Sequence, residues 1–464
     1  MFCNKLCRHF NQLMTFLALI MLSLANNAVF AETLVLSPQS VVELAQKQSI
    51  MIKNSSYTVK SSKYSKKQAF TAFLPMVNGN VQYSRLDESP SMPSFTGDMT
   101  GIDWTDSVYI KLFNFFGNLK IGDPPLNMWN MSVSVNQPLF LGFRALNGYR
   151  MSEKALESEQ LSHQRLLDEA RLTALQLFWG YVSALEGAGV TAETRSWFEN
   201  LIANQQALYE SGLIIEHVVL KTKAGLTQAK LAQIQAGHAA DYLREALLLF
   251  LNMPLNMTVQ VDTNAAGAVV PAAAGELPQS LLDTLVLKRE DIRAMSLKLD
   301  MLKLLRTVQL GAYLPSLFGA FNYRFANDNY EHIDKLDPGW TASVIMNVPI
   351  FDWGKNYRDV QKTDCQIAQL ELGLKASQER VRADILQAHR KYAESIEQFS
   401  LAQEGVSNAK RALEIAELQY QEGAITHVEL HEARKELTSA QANMIMAKTG
   451  RELAAAQYAV ATGR

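Results

Sequence analysis

Thirteen prolines are spread through this 464-residue chain, yet none falls within 139–253 or within 350–464. Each of those stretches is 115 residues long. Proline removes a backbone donor and costs about 3 kcal/mol inside a helix, so its absence over such a span fits very long helices. From Arg144 to Ser211, and again from Asn356 to Glu422, the chain can run ~100 Å as one helix at about 1.5 Å per residue. An apolar stripe supports the second run: Ile367, Leu370, Leu374, Val381, Ile385, Ala388, Tyr392, Ile396 and Phe399. Its steps are mostly three or four, as a coiled-coil seam requires. Gly212 and Gly423 then stand where a helix stops, and a second helical segment follows each. The expectation is a pair of long helical hairpins.

The two hairpins are copies of one unit. Pro38-Gln39-Ser40 recurs as Pro278-Gln279-Ser280, and Ala72-Phe73-Leu74-Pro75 as Ala312-Tyr313-Leu314-Pro315, both 240 positions on. Beyond these the offset is 211: Asn136, Pro138 and Phe140 with Asn347, Pro349 and Phe351; Arg171 with Arg382; Tyr181 with Tyr392; Tyr209 with Tyr420; Gly212 with Gly423. A constant register over so many positions marks an internal repeat. The first copy spans 32–264 and the second 278–464, with an Ala/Gly/Pro-rich linker at 265–277. The change in offset places an insertion in the first copy, read as an extended loop at 84–128.

Four stretches carry period-two patterning instead. Val77, Gly79, Val81 and Tyr83 alternate with polar residues, as do Trp129, Met131, Val133 and Val135. Gly319, Phe321, Tyr323 and Phe325 form a third set, and Trp340, Ala342, Val344, Met346 and Val348 a fourth. Alternation of this kind suits transmembrane barrel strands and equally suits soluble strands over a core. If the strands lie in lipid, four cannot close a barrel, because about eight is the practical minimum. An open edge in hydrocarbon leaves backbone groups unsatisfied at several kcal/mol each. The barrel would then be shared among copies, with the hairpins projecting into water.

The amino terminus points to export. Lys5 and Arg8 precede an apolar run from Leu13 to Leu24, and Val29-Phe30-Ala31 places small residues for cleavage after residue 31. That is the layout of a signal peptide over 1–31. Cys3 and Cys7 lie within it, so the mature chain keeps Cys365 alone and forms no intrachain disulfide. The net charge of -2 and the lack of basic blocks argue against a nucleic-acid partner. No phosphate-binding glycine loop and no Gly-x-Ser-x-Gly elbow occurs, so no enzyme activity and no cofactor are expected.

The order helix, Leu-Pro, strand pair, Pro-Leu-Phe, long helix, Tyr-x-x-Gly, helix occurs twice. It resembles the TolC family of outer-membrane factors over essentially the whole mature chain. The markers are Leu74-Pro75 and Leu314-Pro315, Pro138-Leu139-Phe140 and Pro349-Ile350-Phe351, Asp352-Trp353-Gly354, and Arg289-Glu290-Asp291-Ile292. The resemblance implies an α+β membrane protein, a homotrimer with a 12-stranded β-barrel and a periplasmic α-barrel. It further implies residence in the outer membrane of a Gram-negative cell. The implied partners are outer-membrane lipid, a periplasmic adaptor (membrane fusion protein) and an inner-membrane pump or ABC exporter. The function so implied is a passive conduit for a tripartite efflux or type I secretion system. A soluble periplasmic coiled-coil adaptor or tether is the alternative from another class.

The resemblance also directs attention to the helical turns. Glu429 and Glu432, six and nine residues past Gly423, match the family's acidic pair, which implies two stacked rings at a periplasmic aperture. Tyr420 keeps the family's gating tyrosine position. Ile425 stands where the family has arginine, and Val218, six past Gly212, where it has an acid. Closure is therefore expected to rest on packing among Ile425, Val218 and Val219 rather than on a charged lock. His427 and His431, at i and i+4, have a spacing that can hold zinc. Exposed turn histidines are the plainer reading, and no metal is assigned.

Overall fold

The computed structural model describes residues 33–85, 87, 107–108, 110–111, 127–263, 277–326 and 336–463. The expected signal peptide, most of the 84–128 loop and all of the linker but Leu277 lie outside these residues. The first half runs β1 (Thr33–Leu36), α1 (Pro38–Gln48), α2 (Ile50–Phe70), β2 (Met76–Arg85), β3 (Asn127–Phe140), α3 (Arg144–Glu210), α4 (Glu216–Phe250) and β4 (Thr258–Val261). The second runs α5 (Gln279–Lys288), α6 (Glu290–Leu310), β5 (Ser316–Ala326), β6 (Asp337–Asn347), α7 (Lys355–Gln421) and α8 (His427–Ala461).

The duplication is carried into element lengths. Both α3 and α7 have 67 residues, both α4 and α8 have 35, and both α2 and α6 have 21. Punctuation repeats as well, because the backbone needs it at the same places. Gly212 and Gly423 both take φ 74, the left-handed conformation that glycine adopts without a Cβ penalty. Each closes its helix with a paired motif: Gly212 N–H donates to Tyr209 O at 2.9 Å and Leu213 N–H to Leu208 O at 2.9 Å. The copies at Gly423 and Ala424 donate to Tyr420 O at 3.1 Å and Gln419 O at 2.8 Å. These bonds satisfy carbonyls that the helix end would otherwise leave open.

The chain divides into two compact units, each drawing on both halves. One comprises the described residues of Met1–Val59, Glu159–Met295 and Gly373–Arg464. Its largest core gathers Leu36, Val41, Phe178, Trp179, Val182, Leu247, Leu251 and Val259, where β1 pairs in parallel with β4. A second cluster packs Leu282, Leu285 and Ile292 on Val381 and Ile385 of α7. The stripe read along α7 therefore faces inward at Val381, Ile385 and Tyr392, but Ile396 is exposed and Ser395 is buried instead. The step of three from Tyr392 to Ser395 keeps the 3.5-residue average of the seam, so Ser395 and not Ile396 lies on the inward face.

The other unit comprises Lys60–Ser158 and Ser296–Leu372. It holds a four-stranded antiparallel sheet in the order β2-β3-β5-β6. All four expected strands are present and pair apolar with apolar: Val81 faces Met131, Val133 faces Tyr323, and Phe321 faces Ala342. The sheet is open, with β2 and β6 as its edges. One-turn 3-10 helices at Thr71–Phe73 and Gly311–Tyr313 lead into β2 and β5. Leu74 and Leu314, each preceding a proline and so pushed toward extended backbone, terminate them.

Candidate functional site

The residues singled out around Gly423 lie at the turn joining α7 to α8, and the capping chemistry of α8 explains how they are held. Thr426 is its N-cap, with an extended backbone, and its side chain accepts the Glu429 N–H. Glu429 reaches back, accepting the Thr426 N–H at 2.7 Å and the Thr426 hydroxyl at 3.0 Å. This reciprocal box fixes the first turn of α8. The Thr426 amide and hydroxyl hold the Glu429 carboxyl below the usual carboxylate range. Glu429 is thus a capping residue whatever else it does. Glu432 lies 3.4 Å from Lys435 on the exposed surface of the same helix. The equivalent first-half turn has no such box, since Ile215 is the N-cap of α4 and offers no side-chain acceptor.

Ile425 and Tyr420 pack with Leu413, Leu430, Trp197 and Leu201 in one apolar cluster. Val219 is buried and Val218 half-buried, and neither belongs to that cluster. Polar contacts also tie α3 to the second-half hairpin. Gln205, wholly buried, donates its Nε2 to the Tyr420 Oη at 2.9 Å. Trp197 Nε1 donates to Glu417 Oε1 at 2.7 Å, and Arg434 Nη2 donates to Thr194 Oγ1 at 3.2 Å. Sequence reasoning missed Gln205, Trp197, Arg434 and Thr194. For Gln205 no sequence signal existed, because its repeat equivalent is Ala416. For Arg434, a buried cation, the cue was its helical spacing from Leu430 and Leu437.

His431 is set into an aromatic bed. Its ring lies edge-on to Trp197 at 6.0 Å and to Phe198 at 5.4 Å, with Nε2 3.4 Å from Thr222 Oγ1. His427 stands edge-on to His431 at 6.0 Å, and its own Nε2 is buried without a hydrogen-bond partner. Burial pushes both imidazoles below their ordinary range, and Lys221 adds to this at each. His217 acts on His427, and His427 on His431, in the same direction. Among the described residues no three metal-ligating side chains converge here or elsewhere. Burial around the two imidazoles thus disfavours their charged forms.

In the sheet unit, the departures from β3 and β6 are equally defined. Gly142 and Phe143 take φ 61 and 62, and their repeat equivalents Trp353 and Gly354 take 57 and 77. Asp352 caps the start of α7, accepting the Gly354 N–H at 3.0 Å and the Asn356 N–H at 2.9 Å. Among the described residues no helix is long and apolar enough to cross a membrane.

Residues 281–464 match the family model for outer membrane efflux proteins. The chain is 24% identical over 313 residues to the solvent efflux pump outer membrane protein SrpC of Pseudomonas putida. That alignment takes in 66% of this chain and 63% of SrpC, so the chain spans a little under two thirds of the curated relatives it matches. Its fold is that of the Campylobacter jejuni CmeC outer membrane channel, with a TM-score of 0.75 at 18% identity, covering 92% of this chain and 85% of CmeC. CusC, described as forming a transmembrane channel, is as close, with a TM-score of 0.75 at 13% identity over 92% of this chain and 91% of CusC.

Proposed function

We propose that this protein, whose second half matches the model for outer membrane efflux proteins and whose fold is that of outer-membrane channels, is the outer-membrane channel of a tripartite efflux or type I secretion system. It works as a passive conduit, receiving substrates from an inner-membrane pump through a periplasmic adaptor. Three copies, each built from the repeats 32–264 and 278–464, share one 12-stranded barrel. The observation that carries this reading is the open four-stranded sheet, whose alternating faces suit lipid and whose two edges a single copy leaves without a strand. In hydrocarbon such edges must be paired. A soluble tether has no use for a sheet of this kind, and the fold likeness lies with channels.

The helical turns are the periplasmic aperture in this reading, with Tyr420, Gly423, Ile425, Gly212 and Val218 at the gate. Glu429 and Glu432 supply its negative field. Fractionation tests the whole: the protein is expected in the outer membrane as a detergent-extracted trimer that becomes monomer on heating. Recovery as a soluble monomer rejects the channel. Deleting the gene and scoring drug, metal and protein export then identifies the cargo class.

A further inference from the structure

The four helices that connect to the open sheet are strongly basic where they meet it. The last eight residues of α2 and of α6 and the first eight of α3 and of α7 together hold ten lysines and arginines against one acid, Asp359. The eight-residue ends of α3, α4, α7 and α8 at the two turns hold three against six. Three of the positive positions repeat between the halves: Lys63 with Lys303, Lys66 with Arg306, and Arg144 with Lys355. Carboxylates hold three of the ten cations, Glu153 on Lys66, Glu371 on Lys303 and Asp364 on Arg306. Among the described residues the other seven form no salt bridge. We propose that this basic zone binds the headgroups of anionic phospholipid, net-negative phosphodiesters such as phosphatidylglycerol, in the leaflet that the helices adjoin. The proposal rests on the channel reading above and deepens it by naming the lipid.

Strand length and exposed rings put these helix ends at a bilayer boundary. β5 and β6 have 11 residues each, about what a tilted strand needs to cross the hydrocarbon. Tyr313, Trp353 and Tyr357 lie where the sheet joins the helices and are 45%, 90% and 55% exposed. Tyrosine and tryptophan suit the interface between hydrocarbon and water. Eight residues of helix rise about 12 Å, and charges act over about 8 Å in physiological salt. Long, flexible lysines on those turns therefore come within reach of the headgroups.

Helix dipoles make the charge informative. α2 and α6 end at the sheet, and cations suit the carboxyl end of a helix. α3 and α7 begin there, where the helix end is itself positive and acids are the favoured residues. Neither has an acid in its first turn, and Arg144 and Lys355 stand at their first positions. Local helix chemistry thus opposes half of this charge. An anion outside the chain satisfies all of it. A zwitterionic headgroup, whose amine cancels its phosphate, gains little from the same cations.

The test uses the full chain, purified from the membrane and placed in vesicles of equimolar phosphatidylcholine and phosphatidylglycerol. Mild detergent then extracts the protein, and the lipid retained on it is counted by class. Phosphatidylglycerol is expected at about five times its share, the factor that one cation near an anionic surface contributes, and strong salt should erase the excess. Lys63→Gln with Lys67→Gln, Lys355→Gln and Lys362→Gln should bring the retained ratio back to that of the vesicles. Lys223→Gln with Lys230→Gln, Lys391→Gln and Lys410→Gln removes the same charge from exposed positions elsewhere and should leave the excess in place. Equal retention of the two lipids by the unmodified protein overturns the proposal, whatever the variants do. So does an excess that survives strong salt, or one that both sets of substitutions remove alike. A reversal potential shifted toward cations in the first variant, with the lipid ratio unmoved, places these lysines in the lumen and overturns the lipid assignment. A protein that never enters the vesicles overturns the channel reading instead.

Discussion

The backbones of Gly142 and Gly311 meet so closely that each carbonyl oxygen occupies the space the other residue's side chain would need. A Cβ on Gly142 would stand 2.3 Å from the Gly311 oxygen, and one on Gly311 would stand 2.1 Å from the Gly142 oxygen. Both obstacles are backbone, which cannot swing aside as a flexible side chain does. Gly142 carries the additional demand of φ 61. Their repeat equivalents are Trp353 and Thr71. Gly142→Ala and Gly311→Ala are each expected to cost about 1–3 kcal/mol, as overpacking does, with Gly142→Ala the worse. Gly187→Ala, in the interior of α3 with open space around it, should instead gain about 0.5–1 kcal/mol. Denaturation of the three purified variants checks the ranking, and equal stability of all three would refute the close approach.

The histidine cluster gives a pH dependence whose sign is determined. His427 and His431 both have imidazoles held below the ordinary value by burial. The unfolded chain then binds more protons than the folded one once the pH falls below about 6.5. Stability of this turn is therefore full above that pH and is lost as the pH drops toward the depressed folded values. The groups facing the pair are Lys221, His217 and Thr222 from α4 and the rings of Trp197 and Phe198 from α3. Hydrogen exchange at 213–225 and 425–435, corrected for intrinsic rate, should quicken on acidification. His427→Gln with His431→Gln should flatten that response, and an unchanged response would refute the assignment.

Much of this was written in the sequence because the features concerned are local. Proline-free spans gave two helices of 67 residues, and Gly212 and Gly423 marked their ends because only a left-handed residue closes a helix in that way. Period two located all four strands. The lost features are those where two distant segments meet. Gln205 finds Tyr420 across 215 positions, and Gly142 finds Gly311 across 169. No propensity encodes either meeting. Glu429 is a different case: Thr426-x-x-Glu429 is a capping signature on its face, and its local role was passed over for a lumenal one.

Gln205 and Tyr420 form the one polar contact at the turn whose loss leaves a wholly buried amide without its acceptor. The other end of that amide, Oε1, already lacks a partner. Tyr420→Phe should therefore cost about 1–3 kcal/mol locally, the penalty for an unsatisfied buried group. Tyr420→Phe combined with Gln205→Leu replaces both ends by apolar groups and should recover most of it. If the turn gates the channel, single-channel recordings in planar bilayers will show a larger resting conductance for Tyr420→Phe. The double variant should return toward the parent. Conductance that tracks neither variant assigns the contact to stability alone.

Glu429 can serve as a cap, as part of an acidic ring, or as both, and one substitution separates these roles. Gln at the third position of a capping box still reaches back to the N-cap amide, so Glu429→Gln keeps the box and removes the charge. Glu429→Ala removes both, and loss of a cap costs about 0.5–2 kcal/mol. Near neutral pH a lumenal ring predicts that Glu429→Gln lowers cation selectivity with little change in stability, and that Glu432→Gln adds to the effect. Acidification should mimic the substitution late, because the Thr426 hydrogen bonds hold the carboxyl below its ordinary range. The charge on Glu429 therefore survives to a lower pH than that of an uncapped carboxylate. A cap with no lumenal role predicts the reverse ordering: selectivity unmoved in Glu429→Gln, and a stability loss confined to Glu429→Ala. Reversal potentials in a salt gradient, measured alongside thermal melting of the same preparations, decide between them.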